Sequence, residues 1–173
     1  MMKFKETQPE PEQKVEAGKM SEKLHNALVG VIKFEVEKLE LITSAIYYYC
    51  ENGLIQYKKF FKCLSEGCEK CKCDYITYLR TNHEEIPEIT IPAMVMNFKD
   101  PVEPFRLIAK LEDVYEQSLK EIIDIAMEDK DWKTFHFLLK KYDCIDHLCC
   151  RALAAVENKA NVLDLCEQHT MEK

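Results

Sequence analysis

Cys68 and Cys71 stand three residues apart in the run Cys68-Glu-Lys-Cys71-Lys-Cys73, which reads as helix, so the two thiols share one helical face. On three other segments a carboxylate falls among apolar residues at helical spacing: Glu40, Glu112 and Asp146. A carboxylate within a core costs several kcal/mol unless it is paired, protonated or bound to a cation. Three acids at similar depth beside two thiols are the donor set of a metal site shared between helices. Thiolates suit zinc, copper(I) or iron–sulfur chemistry. The cysteine run alone is half a zinc site. Its only candidate second half is Cys144, Cys149 and Cys150 with His147, whose spacing matches no zinc signature. The competing reading makes the two thiols packing residues and sets each carboxylate at the edge of its apolar stripe, within reach of water.

The elements that must carry these residues follow from the breakers. Ser21 reads as an N-cap, and an apolar-periodic stretch runs from about Leu24 to Cys50, where Asn52-Gly53 stops it. A second helix is predicted from about Leu54 to Asn82. A Pro-punctuated connection, Glu85 to Pro104, follows; its Ile86, Ile89, Ile91 and Val95 suggest an extended segment lying across the fold. A third helix is predicted from Phe105 to about Glu128. A fourth begins near Trp132 and continues to about Lys159, and Val162 to Met171 forms a short amphipathic tail helix. The inward stripes read as Val29, Ile32, Val36, Thr43, Ile46 and Tyr47 on the first helix, and Tyr57, Phe61, Leu64, Tyr75 and Tyr78 on the second. On the third they are Ile108, Leu111, Tyr115, Leu119, Ile122 and Ala126, and on the fourth Leu138, Tyr142, Cys149 and Ala152. The pattern is all-α: a four-helix bundle with a long crossover between helices 2 and 3. Residues 1–20 read as a disordered polar tail and 21–173 as one domain.

The bulk numbers set limits. A chain of 173 residues, 47% hydrophobic, can bury a core of its own. A net charge of −7 argues against nucleic acid or an anionic membrane surface as partner. No apolar run approaches a membrane span, and the charged N-terminus lacks the apolar centre of a secretory signal, so the expected location is the cytoplasm. Nine cysteines, an odd number, argue against a disulfide scaffold and leave burial, metal thiolate or reactive thiol as roles.

Four segments then resemble animal ferritins in the correct order. Leu39-Glu40-Leu41-Ile42-Thr43-Ser44-Ala45-Ile46-Tyr47-Tyr48 is similar to the first-helix signature, and Lys59 to Glu66 to the start of the second helix. Leu111-Glu112-Asp113-Val114-Tyr115-Glu116-Gln117-Ser118-Leu119 is similar to the third, and Glu167-Gln168-His169-Thr170 to the C-terminal short helix. The resemblance implies a ferritin-like bundle that assembles, alone or with active ferritin subunits, into an iron-storing shell. It also implies a di-iron centre that oxidises ferrous iron. Carried over by position, Glu40 and Glu112 match iron ligands of the first and third helices, and Tyr47 the tyrosine beside them. The second-helix Glu-x-x-His pair is replaced by Cys68 and Cys71, and the fourth-helix Gln by Asp146. The cavity-wall carboxylates map to Gly67, Lys70 and Cys73, and the channel acids to His136 and Leu139.

These departures predict a subunit serving iron storage and homeostasis with lost or weak ferroxidase activity, which leans away from an enzyme without deciding it. Two alternatives stand beside it. One is a re-tuned thiolate and carboxylate site, Glu40, Glu112, Cys68, Cys71 and Asp146, holding zinc or copper rather than iron. The other is an iron-independent shell or scaffold with a chaperone-like or thiol-based role.

Overall fold

In the computed structural model, residues 19–91, 93, 97–159 and 161–165 are described. Among these residues, four of the five helices start where a side chain takes an orphan amide. Ser21 Oγ accepts from Leu24 N at 3.1 Å and opens α1 (Glu22–Glu51). The same hydroxyl donates to Asp129, tying the start of the first helix to the turn after the third. Asn52 closes α1, and Gly53, at φ +68°, makes the turn that an L side chain resists. α2 (Ile55–Thr81) ends at Asn82. Asp100 accepts from Val102 N at 2.7 Å and Glu103 N at 2.8 Å, with Pro104 in the first turn of α3 (Glu103–Glu128). Asp131 accepts from Thr134 N at 3.0 Å and opens α4 (Trp132–Asp143).

α1 packs against α2 and α3, and α3 against α4 and α5. Side chains close the ring between α2 and α4: Tyr78 stacks on Phe137 with centroids 3.9 Å apart. The result is a helical bundle with no strand among the described residues. Among those residues no helix is long and apolar enough to cross a membrane.

The connection between α2 and α3 carries no regular secondary structure where it is described. Ile86 and Ile89 pack against the core as expected for a segment lying on the bundle, whereas Ile91 is exposed. Val95 lies outside the described residues, as do residues 1–18. Of the expected tail helix, 163–165 are helical and Val162 is buried; the positions beyond 165 are likewise outside.

The predicted fourth helix is two helices. Cys144 caps the end of α4, His147 adopts a left-handed conformation at φ +47°, and α5 (Leu148–Glu157) restarts from it. Asp146 Oδ1 accepts from Leu148 N at 3.2 Å, and the next two amides are taken by Glu112 of α3. The helix can break because outside groups satisfy the amides that the break exposes.

The core is likewise in two parts. One contains Leu28, Ile32, Tyr75, Leu79, Leu119, Ile122 and Leu138; the other contains Ile42, Tyr49, Phe60, Phe61, Phe105, Ile108 and Cys149. Between them on α1 lie the seven-residue steps Leu28–Glu35–Ile42–Tyr49, all four fully or almost fully buried. A charged residue therefore sits between two apolar blocks. In the second block the Phe105 ring has centroids 4.9 Å from Phe61, 5.2 Å from Tyr57 and 5.5 Å from Phe60. Replacing Phe105 by Ala is expected to cost about 3–5 kcal/mol, read as a lowered urea midpoint at unchanged slope. Val114→Ala on the exposed face of α3 should fall within about 0.5 kcal/mol of the parent.

Candidate metal centre

The polar layer is built around Glu35, whose side chain is 0% exposed. Lys38, one turn on, places Nζ 3.1 Å from Oε2 and 3.2 Å from Oε1, so the ammonium spans both carboxylate oxygens. Cys68 of α2 donates its S–H to Oε2 at 3.0 Å and lies 3.3 Å from the Glu35 backbone carbonyl. Lys38 also lies 5.5 Å from the Tyr115 ring centroid and 5.9 Å from that of Phe34, cation–π contacts that shield its charge from water. Burial works against that charge, but Glu35, with Cys68 and Cys71 behind it, outweighs burial and raises Lys38 above its ordinary value. The ammonium stays protonated.

The thiols move the opposite way from what metal binding wants. Burial, then the negative charge of Glu35, pushes Cys68 far up. Cys71 is pushed up to about 11 by the same two causes in the same order. Its sulfur lies 3.6 Å from the Tyr115 hydroxyl, which is 2.9 Å from that of Tyr75. At neutral pH both sulfurs are protonated thiols in the metal-free protein, so a metal would have to displace those protons to bind.

Glu112 is held by α5. Oε1 accepts from Cys149 N at 2.9 Å and Oε2 from Cys150 N at 3.0 Å, which places the carboxylate at the positive end of that helix. Burial raises its pKa while those two amides oppose the rise. Asp146 caps Leu148 and sits 4.0 Å from the Arg151 guanidinium.

A cavity of about 500 Å³ brings four of the five sequence-predicted ligands onto one wall system: Cys68, Cys71, Glu112 and Asp146. Glu40 is not among its lining residues; Glu35 and Lys38 are. The correction is one of helix phase. Five residues turn the helix by roughly 140°, so Glu40 and Glu35 cannot face the same axis. The assigned tyrosine moves with it: Tyr47 is 53% exposed, and the residue seven beyond Glu35 is Ile42. Glu35 and Lys38 were missed by sequence reasoning, although the seven-residue spacing to Leu28, Ile42 and Tyr49 carried the signal.

The fold and this layer define a class: the chain has the ferritin-like fold. It is similar to the open-pore ferritin of the archaeon Archaeoglobus fulgidus, with 19% identity and a TM-score of 0.69, covering 88% of each chain. It is also similar to the ferritin of Chlorobium tepidum, with 20% identity and a TM-score of 0.72, covering 80% of this chain and 87% of that one. A humanized archaeal ferritin matches at 20% identity and a TM-score of 0.69, covering 90% of this chain and 88% of that one. No family model matches the sequence, and no curated protein matches it in sequence. At these identities the likeness is one of fold.

Two expectations follow from the layer. Lys38→Met leaves Glu35 buried without its counter-charge and should destabilise by about 3–5 kcal/mol; Glu35→Leu/Lys38→Met together should recover most of that loss in the same urea titration. Seven cysteines are free among the described residues, and Cys63 is disulfide-bonded. Of the free thiols, the exposed Cys50, Cys73 and Cys144 should be alkylated first by iodoacetamide at pH 8, as mapped by peptide mass spectrometry. Cys68, Cys71 and Cys149 should stay unmodified until the chain is unfolded. Because the Cys71 pKa is raised, its thiolate fraction grows only as the pH approaches about 11.

Proposed function

We propose that this chain is a ferritin-type subunit that serves intracellular iron storage and homeostasis without oxidising iron at its own bundle midpoint. One observation carries the reading: the Lys38 ammonium lies on both oxygens of Glu35, the place a bound cation would take. The remaining donors agree with it. Cys68 and Cys71 are held as neutral thiols, and each Glu112 oxygen accepts one amide of α5. Ferrous and ferric iron prefer carboxylate and imidazole ligands, and a thiol beside iron and oxygen would itself oxidise. The donor set does not fit a di-iron centre, so no oxidation step is assigned to it.

Iron is then cargo rather than substrate of this subunit. Its contribution is the bundle itself, assembled with further copies or with active ferritin subunits in the cytoplasm. The ferritin-like fold and the iron-handling character of proteins with that fold support this assignment.

The test is ferrous oxidation by the purified, reduced oligomer, with the assembly size read by size-exclusion chromatography. The rate is expected not to exceed that of ferrous iron alone in aerated buffer. A mineral core should form only when the chain is assembled with an active subunit. Turnover by the chain alone at the rate of a catalytic ferritin would overturn the reading.

A further inference from the structure

We propose that Glu112, His147 and Cys150 form a binding site for a zinc-class divalent cation at the joint between α4 and α5. One carboxylate oxygen, one ring nitrogen and one sulfur from these residues lie within 4.8 Å of one another. A tetrahedral ion with bonds of about 2.0–2.3 Å sets its ligand atoms roughly 3.3–3.8 Å apart. Contraction by about 1 Å, within the reach of side-chain rotation, closes the cluster on such an ion. The donors are one nitrogen, one sulfur and one oxygen, a borderline-soft set that zinc accepts and that hard oxygen-seeking cations do not favour.

The backbone presents the three residues together for reasons that do not depend on a metal. The helix breaks at His147, whose left-handed φ of +47° turns the chain between α4 and α5. Cys150 follows in the first turn of α5, with its sulfur 3.7 Å from the Ala109 carbonyl on α3. Glu112 is oriented by the amides of Cys149 and Cys150. A carboxylate has about four acceptor positions on its two oxygens, so two amide bonds leave capacity for a cation.

The surroundings supply the outer partners a ligating histidine needs. His147 Nε2 is 3.2 Å from Glu116 Oε2, and Nδ1 is 4.0 Å from the exposed Asp113. Glu116 is itself fixed by Lys120 at 2.7 Å and by the Tyr142 hydroxyl at 3.1 Å. A carboxylate on one ring nitrogen orients the other toward the metal. Burial, then Glu112, pushes the Cys150 thiol up to about 12 in the metal-free protein, so the cation must displace its proton: the S–H bond breaks as the metal–sulfur bond forms, and the proton leaves to solvent. The fourth position is open to water. So placed, the ion would clamp α3 to the joint at His147 and to the first turn of α5. This site uses neither Cys68 nor Cys71, and it stands whether or not the chain stores iron.

The experiment is zinc titration of the reduced, full-length protein against a chromophoric chelator, with cobalt(II) as spectroscopic probe. One equivalent of zinc per chain is expected, and cobalt should give tetrahedral visible bands with a thiolate charge-transfer band. Cys150→Ser should abolish the charge-transfer band. His147→Asn, which keeps a residue tolerant of the left-handed backbone, should weaken zinc by more than about 100-fold, beyond what loss of an outer partner costs. Glu116→Gln should weaken it by about 10–100-fold. Cys68→Ser/Cys71→Ser should bind as the parent does. Circular dichroism confirms that each variant is folded. The proposal is overturned if the folded parent binds no zinc, if binding survives in Cys150→Ser and His147→Asn, or if it is lost in Cys68→Ser/Cys71→Ser. Ferrous oxidation is measured separately, so neither result decides the other.

Discussion

The buried Glu35–Lys38 pair is the constraint around which the rest of the bundle is arranged. A carboxylate at zero exposure must be answered within a few ångströms, and here the answer comes from its own helix and from α2. Because Lys38 is one turn along α1, its ammonium reaches both oxygens of Glu35 at the level between the two apolar blocks. The aromatic faces of Phe34 and Tyr115 wall the ammonium in. Tyr115 in turn fixes Cys71 and Tyr75 by its hydroxyl. A single polar layer thus links α1, α2 and α3, and the apolar blocks on either side exclude water from it.

The break in the fourth helix belongs to the same economy of amides and charges. An unbroken helix would have left Glu112 with no backbone donors at its depth. By stopping at Cys144 and restarting at Leu148, the chain turns two first-turn amides toward that carboxylate. The left-handed residue at the turn is unfavourable for a side chain other than Gly or Asn. The buried Leu148, Cys149 and Ala152 hold it there by packing into the second block. Local strain and satisfied amides trade against one another within four residues.

Much of the architecture was legible because breakers and caps are local signals. Ser21, Asn52-Gly53, Pro104 and the Asp129–Asp131 turn lie where helices start or stop. The α3 stripe was also legible, since Ile108, Tyr115, Leu119, Ile122 and Ala126 are separated by clearly polar residues. α1 was harder. Its middle, Phe34-Glu-Val-Glu-Lys-Leu-Glu, places three acids within six residues, and apolar neighbours flank both Glu35 and Glu40. Only the long-range steps to Leu28 and Tyr49 choose Glu35 over Glu40, and the stripe read through Val29, Val36 and Thr43 runs one residue off that phase. The break at 144–147 was invisible for another reason. It contains neither Gly nor Pro, and the group that makes it possible, Glu112, comes from a different helix.

Charge balance explains why this layer has no need of an external cation. Glu35 is offset by Lys38 at 3.1 Å, and the two thiols beside it add no charge while protonated. Glu112 faces the amino end of α5, worth roughly half a positive charge. Glu35 is therefore answered fully, and Glu112 in part, by groups that the chain itself supplies. In a layer built from carboxylates and imidazole alone, the same depth would leave uncompensated negative charge, and a metal ion would relieve it. Here protonated thiols and one ammonium stand beside the carboxylate, and that demand does not arise at Glu35. The fold is kept because the apolar blocks above and below carry its stability, and the chemistry at the midpoint is free to change between them.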